Sequence, residues 1–345
     1  MIPAVRESII FQNNMPTILE SLNTALHSAL DADPHVIILG EDILDPYGGA
    51  FKVTRGLSTA FPDRVLSTPI SEAGIVGLAS GMAIRGLRPV VEIMFGDFIT
   101  LAADQIVNHL SKFRFMYNDS VQAPLVIRTP MGGRRGYGPT HSQSLEKLFM
   151  GIPGLRVLAV NPFREPGIDL LHIILNGDEP TLFIENKTLY TFRVHDQTTL
   201  VDFDCIRLEK YQTHVLTISG APPAELTIAA YGHSAELCRQ ASLRLAYEYE
   251  IFTQLIVPTQ LSPFDISPIL DSVQQTHHLL VVEEGTRTLG WGAEILARTL
   301  EAPRNRLHQA HRLGAGDLPI PASVPLETAI LPDVDRIIAA ARTMV

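Results

Sequence analysis

The sequence predicts an α/β protein of two domains, each a mainly parallel sheet with helices on both faces. Three observations carry this. The 345 residues exceed one typical core. Short, uncharged apolar runs alternate with segments of helical periodicity, as in strands buried on both sides of a parallel sheet. The alternation also stops once, from about 187 to 225, and then resumes.

Taken in order, Ile18, Leu19, Leu22, Leu26, Ala29 and Leu30 recur at helical spacing, and Val36 to Leu39 is a strand-like run. Residues 73–84 predict a helix and 88–95 a strand, 101–116 a helix and 123–130 a strand. Strands at 154–160 and 180–186 flank a helix near 167–175. The polar and Pro/Gly-marked stretch that follows reads as a linker and the entry to a second domain, which divides the chain into 1–190, a linker and domain entry over 191–225, and 226–345. Beyond it come a strand at 226–232, a helix at 233–248, a strand at 250–258, a helix near 264–274, a strand at 277–285, a helix at 290–300 and a closing helix in "LPDVDRIIAAARTM".

Composition removes several function classes. The formal charge of -10 is spread without basic clusters, which argues against nucleic-acid binding. The two cysteines, Cys205 and Cys238, fit no metal spacing and no disulfide framework. "MIPAVRESIIFQNN" lacks the features of a signal peptide and no stretch is long enough to span a membrane, so a cytoplasmic location is expected. There is no phosphate-binding loop, no H-E-x-x-H zinc pair and no dinucleotide fingerprint; "GAGDLP" at 314–319 fails at its last glycine.

Doubly wound sheets bind ligands beyond the carboxyl ends of their strands. Three turns there are unusual. "ILGEDILDPYGGAF" brings Glu41 and Asp42 to the end of the first strand. "MFGDFITLAADQ" places Phe98 at a strand-to-helix turn, and the glycine-rich "RTPMGGRRGYGPTHSQSLE" leads to His141. A fourth feature is Glu72, the one acid heading "SEAGIVGLASGMAIRG". It reads either as a helix-dipole partner behind the N-cap Ser71 or as a carboxylate held in a dry pocket for chemistry.

Taken together these segments resemble the β subunits of the E1 component of 2-oxo acid dehydrogenase complexes, in the transketolase superfamily. The matching runs span nearly the whole chain: "LGEDI", "YGGAFKVTRGL", "TPISEAGIVGLASGMAIRGLRPVVEIMFGDFI", "DQIVNH", "PLVIRTPMGG", "HSQSLE", "GIPGLRVLAV", "LSPFD", "VVEEG", "GWGAEI" and "LPDVDRII". The resemblance implies a transketolase-like pyrimidine-binding domain followed by a transketolase C-terminal domain. It implies thiamine diphosphate as cofactor, with Glu72 contacting N1′ of its aminopyrimidine, Phe98 packing on that ring and Glu41 nearby in the cofactor site. His141 corresponds to a histidine that handles protons and transfer to a lipoyl group, oriented by Ser142 and Gln143.

The metal motif of thiamine enzymes, G-D-G followed by asparagines, does not occur here; "FGDF" has only its first two letters. In the resembled family that half-site, with its magnesium ion, belongs to a separate α subunit. The resemblance thus implies an α2β2 assembly, a lipoyl-bearing E2 partner and a small 2-oxo acid substrate, with the second domain serving mainly subunit packing. It also implies a structural potassium ion near Leu125 and Asp178. Thr259 stands where an arginine is common in the family, which leaves pyruvate, a branched-chain 2-oxo acid and acetoin open as substrates. A non-catalytic assembly subunit of the same fold is the alternative.

Overall fold

A computed structural model describes residues 15–303 and 306–345. The segment read above as lacking a signal peptide, 1–14, lies outside them. Among the described residues no helix is long and apolar enough to cross a membrane.

The first domain runs α1 (Ile18–Ala32), β1 (Val36–Gly40), β2 (Val65–Ser67), α2 (Glu72–Ile84), β3 (Arg88–Glu92), β4 (Val126–Met131), β5 (Arg156–Ala159), α3 (Pro166–Asn176) and β6 (Thr181–Asn186). The second runs β7 (Phe203–Leu208), β8 (Thr213–Ile218), β9 (Leu226–Ala230), α4 (Gly232–Tyr249), β10 (Thr253–Pro258), β11 (Gln260–Ser262), α5 (Ser267–Thr276), β12 (His278–Thr286), α6 (Trp291–Glu301), β13 (Gln309–Ala315), α7 (Val324–Ile330) and α8 (Val334–Arg342). Each predicted apolar run forms a strand because both of its faces are covered; β4 is buried at every position.

The first sheet has the order β11-β5-β6-β4-β3-β1-β2 and the second β13-β12-β9-β10-β8-β7. All pairs in the first sheet are parallel except β11 with β5. β11 comes from the second domain's sequence, so the chain stitches its two domains together along one sheet edge. The core follows suit: one apolar cluster joins Leu39, Ile127 and Leu182 to Val281, Trp291 and Ile295 across the boundary.

Two expectations are corrected. The segment 191–225 is not simply a linker, because β7 and β8 form an antiparallel hairpin on the edge of the second sheet. An edge hairpin with one wet face alternates polar and apolar residues rather than showing a continuous apolar run, and its turn uses Gln212 at φ 46 instead of glycine, so the usual signals are missing. The helix expected over 101–116 is also broken. It consists of a 3-10 stretch (Gly96–Ala102), a π turn (Gln105–His109), a 3-10 turn (Leu110–Lys112) and one α turn (Phe113–Met116). Ile99, Ala102, Ile106 and Leu110 still line one buried face, so the apolar period survives while the hydrogen-bond register slides.

Candidate active site

The carboxyl ends of β1, β2, β3, β4 and β6 share one edge of the first sheet, and the candidate residues sit in the turns beyond them. Glu41 follows β1 directly. Glu72 is the first residue of α2, five residues past the end of β2. Both are buried, at 7% and 5% exposure. They are electrostatic neighbours: burial first, and then the Glu72 charge, pushes the Glu41 carboxyl above its ordinary value, against the opposing Ser71 backbone N–H. Oε1 of Glu41 is buried without a hydrogen-bond partner. Ser71 is the N-cap residue of α2, but its side chain makes no capping bond.

The turn after β3 carries Phe95, Asp97 and Phe98. The loop after β4 carries His141, whose ring meets Phe95 and Phe98 edge-on, with centroids 4.8 and 5.2 Å apart. The structure therefore unites Phe98 with His141, and Glu41 with Glu72, on adjoining strand ends of the same sheet edge.

Ser142 and Gln143 do not orient the His141 ring as expected. Nδ1 of His141 lies 3.0 Å from Thr140 Oγ1. Gln143 turns instead to Asp97, with its backbone N–H and its Nε2 both donating to Oδ1. The Ser142 hydroxyl is buried without a partner. The chain here leaves β4 through Gly132 at φ +95, where a Cβ would lie 2.5 Å from Asn186 Nδ2 and 2.7 Å from Glu284 Oε1. Only glycine lets the loop pass so close to the second domain.

That closeness assigns the second domain more than packing. Glu284 accepts the Gly133 N–H at 2.7 Å, and Glu327 accepts the N–H groups of Arg134 and Gly136 at 2.8 and 3.0 Å. Two buried carboxylates of the second domain thus grip the loop that carries His141. Beneath the site, Arg128 of β4 donates from Nε and Nη2 to Glu185 of β6 and from Nη1 to Glu92 of β3.

Leu125 and Asp178 lie at the opposite edge, just before β4 and β6. The Leu125 carbonyl accepts the Thr181 N–H, and Asp178 pairs with Arg114 at 3.3 Å. Thr259 is buried in the bend between β10 and β11, where its hydroxyl accepts from Asn161 Nδ2; its place is in the stitch between domains, not among the candidate site residues. Among the described residues no group of three or more His, Cys, Asp or Glu could hold a metal ion.

Sequence reasoning missed Phe95, Asp97 and Lys187. Asp97 and Lys187 stand just past the carboxyl ends of predicted strands and Phe95 is the last residue of one, so the rule that found Phe98 and His141 could have found them too. Lys187 was passed over because it opens the stretch read as a linker.

Comparison with known proteins agrees with this architecture. Residues 14–193 match the transketolase pyrimidine-binding domain and residues 221–337 the transketolase C-terminal domain. A solved structure, a split-gene transketolase in an inactive β4 tetramer, superposes with a TM-score of 0.74 at 18% identity, covering 95% of this chain and 98% of that one. This defines the class: a transketolase-fold protein built of a pyrimidine-binding and a C-terminal domain.

The β-1 subunit of the mitochondrial pyruvate dehydrogenase E1 component from Oryza sativa subsp. japonica is 34% identical over 94% of this chain and 86% of its own length. The corresponding subunit of Saccharomyces cerevisiae is 32% identical over 94% of this chain and 88% of its own. The β subunit of acetoin:2,6-dichlorophenolindophenol oxidoreductase from Bacillus subtilis is 32% identical over 93% and 94%. The chain belongs to the family of E1 β subunits of pyruvate and acetoin dehydrogenases.

Proposed function

We propose that this chain is the β subunit of a thiamine-diphosphate-dependent 2-oxo acid dehydrogenase E1, contributing the aminopyrimidine half of an active site that an α chain completes. The buried carboxylate pair supports this most: Glu72 heads an apolar helix beside Glu41, whose Oε1 lacks a protein partner. A pocket that takes a polar ring leaves such a buried acceptor open in the protein alone, and Phe98 offers an aromatic face in a neighbouring turn. The residues present thus fit the aminopyrimidine half of the cofactor. When bound, thiamine diphosphate supplies a carbanion at thiazolium C2 and an electron sink for the carbon left after decarboxylation.

Glu72 holds a proton at the pyrimidine N1′ in this reading, and the low local dielectric strengthens that bond. Burial and the Glu72 charge raise the Glu41 carboxyl, so negative charge on Glu41 is costly beside Glu72. Phe98 flanks the pyrimidine. His141 supplies the proton that a departing lipoyl thiolate needs, a task suited to imidazole near neutral pH.

The α partner is inferred from two features. The sequence has no G-D-G metal motif, and apolar side chains lie open on α2, just before it and on the 3-10 stretch packed against it: Leu78 is 58% exposed, Ile70 82% and Leu101 60%. Such a patch beside a site marks a protein interface. Magnesium and the diphosphate would then belong to the α chain, and a lipoyl-bearing E2 would receive the acyl group. Potassium near Leu125 and Asp178 has weaker support, since the carbonyl and the carboxylate already have partners. The substrate is a short 2-oxo acid or acetoin, matching the two kinds of relative.

Calorimetric titration tests the half-site. The purified chain should bind thiamine diphosphate and magnesium weakly, and tightly once mixed with an α chain carrying the metal motif. Tight magnesium-dependent binding by this chain alone would overturn the two-chain reading. In the reconstituted enzyme, His141→Ala should slow acyl transfer to a lipoyl domain about 10²-fold, with a smaller loss in decarboxylation read through an artificial electron acceptor. Equal losses in both assays would place His141 earlier, in cofactor or substrate binding.

A further inference from the structure

Lys187 is the first residue after β6, and its side chain is fully buried. Its backbone is fixed at both ends: the N–H donates to Met131 O, and the carbonyl accepts from Arg135 Nη2 at 2.8 Å. Its ammonium nitrogen donates to the main-chain carbonyl of His141 at 2.5 Å. The same nitrogen lies 5.4 Å from the Phe95 ring centroid and 5.9 Å from that of Tyr137, so it stands over the aromatic group that surrounds the imidazole.

We propose that Lys187 is a positioning residue for His141, clamping the His141 carbonyl from the first domain while Glu284 and Glu327 grip the same loop from the second. The loop carrying His141 is rich in glycine and crosses between the domains without regular structure. Its own backbone bonds are few: the His141 N–H donates to Gly138 O at 3.3 Å and the Gly132 N–H to Gln143 O at 3.1 Å, and neither holds the His141 carbonyl. The carboxylates hold Gly133, Arg134 and Gly136. Lys187 alone among these side chains reaches His141 itself. Losing it would free the carbonyl and let the imidazole leave the edges of Phe95 and Phe98.

The clamp carries a pH signature with a definite sign. Burial chiefly holds the Lys187 amine down at about 8, with Asp97, Glu284 and Glu327 raising it and Arg135 lowering it. Tyr137 also faces it, and the His141 imidazole stands against the same Phe95 ring. An opened loop would return the amine to water and to its ordinary value of 10.5. The closed loop therefore binds fewer protons than the open one between about pH 8 and 10.5, and raising pH across that window favours closure. A neutral amine still donates to the carbonyl.

This inference rests on the proposed role of His141, but its test does not need activity. Trypsin cleavage after the exposed Arg135 of the full chain reads loop opening, each rate divided by that of a free peptide of the same sequence at the same pH. In the wild type the normalised rate should fall several-fold between about pH 7.5 and 9.5. Lys187→Met should be cleaved on the order of tenfold faster at neutral pH, with no pH response. Lys187→Arg should restore protection without the pH response, and Tyr137→Phe should keep it.

In the reconstituted enzyme, Lys187→Met should lower kcat for lipoyl acylation more than it changes KM. Wild-type protection that stays flat with pH, or a Lys187→Met loop as protected as the wild type, would overturn the clamp. Should Lys187→Met fail to fold, the wild-type pH response and Lys187→Arg still decide. An inactive wild-type complex with a normal proteolysis pattern would count against the functional reading and leave the clamp standing.

Discussion

Glu72→Gln, in the enzyme reconstituted with an α chain, is expected to lose decarboxylation by a factor on the order of 10² or more while the subunits still assemble and the melting transition does not fall. Glutamine keeps the size of the side chain and one acceptor, but it cannot hold a proton for the pyrimidine nitrogen. The stability half of the result follows from the pair. Glu41 has its carboxyl raised by burial and by the Glu72 charge. A group whose folded pKa is raised contributes its full stability below its unfolded value and loses it as pH rises through the folded value. The Glu72 charge is one cause of that rise, so Glu72→Gln removes a like-charge repulsion from the folded state wherever Glu41 is ionised. Deuterium exchange at thiazolium C2 in the reconstituted complex reads the chemistry directly. A normal exchange rate would return Glu72 to the role of a helix-dipole partner, and a lowered melting temperature would show that its carboxylate is structural.

Arg128→Met should destabilise the chain by about 3–5 kcal/mol, because it strands two buried carboxylates. Arg128 is 1% exposed, bidentate to Glu185 at 2.7 and 2.8 Å and bonded to Glu92 at 2.9 Å, while Tyr190 donates to Glu185 at 2.6 Å. The wild-type pair of acids is already costly: burial pushes Glu92 above its ordinary value even with the guanidinium present. Without the arginine the Glu92 carboxyl rises further, so the variant regains stability as pH falls toward its unfolded value. Denaturant midpoints at two pH values check this. The deficit should be largest near pH 8 and shrink by pH 5. A deficit equal at both would mean that lost packing, not stranded charge, is the cause. A triple variant with Glu92 and Glu185 also made apolar should recover most of the loss.

Much of the chain was legible without coordinates. A strand buried on both faces must be apolar throughout, so β1, β4, β6, β9 and β12 announce themselves, as do the helices between them. Because the strands are parallel, their carboxyl ends share one edge, and the turns there could be searched for Glu41, Glu72, Phe98 and His141 before any geometry was known. The resemblance to E1 β subunits was equally plain, carried by ordered motifs over nearly the whole sequence.

Tertiary structure decided the rest, and for one physical reason: these contacts join residues far apart in sequence through groups with no local pattern. The β7–β8 hairpin is held by an edge pairing, and β11 adds to a sheet made by the other domain. Gln143 serves Asp97, 46 residues away, rather than the nearby His141. The Glu284 and Glu327 carboxylates find backbone N–H groups 151 and 193 residues earlier. A carboxylate gripping a main-chain amide leaves no trace in side-chain spacing, since any residue at the gripped position carries the same amide. The sequence therefore determined the fold, the family and the acids, aromatic and histidine of the candidate site. Which domain holds the histidine loop, and that Lys187 reaches its carbonyl, followed only from the packing of one domain against the other.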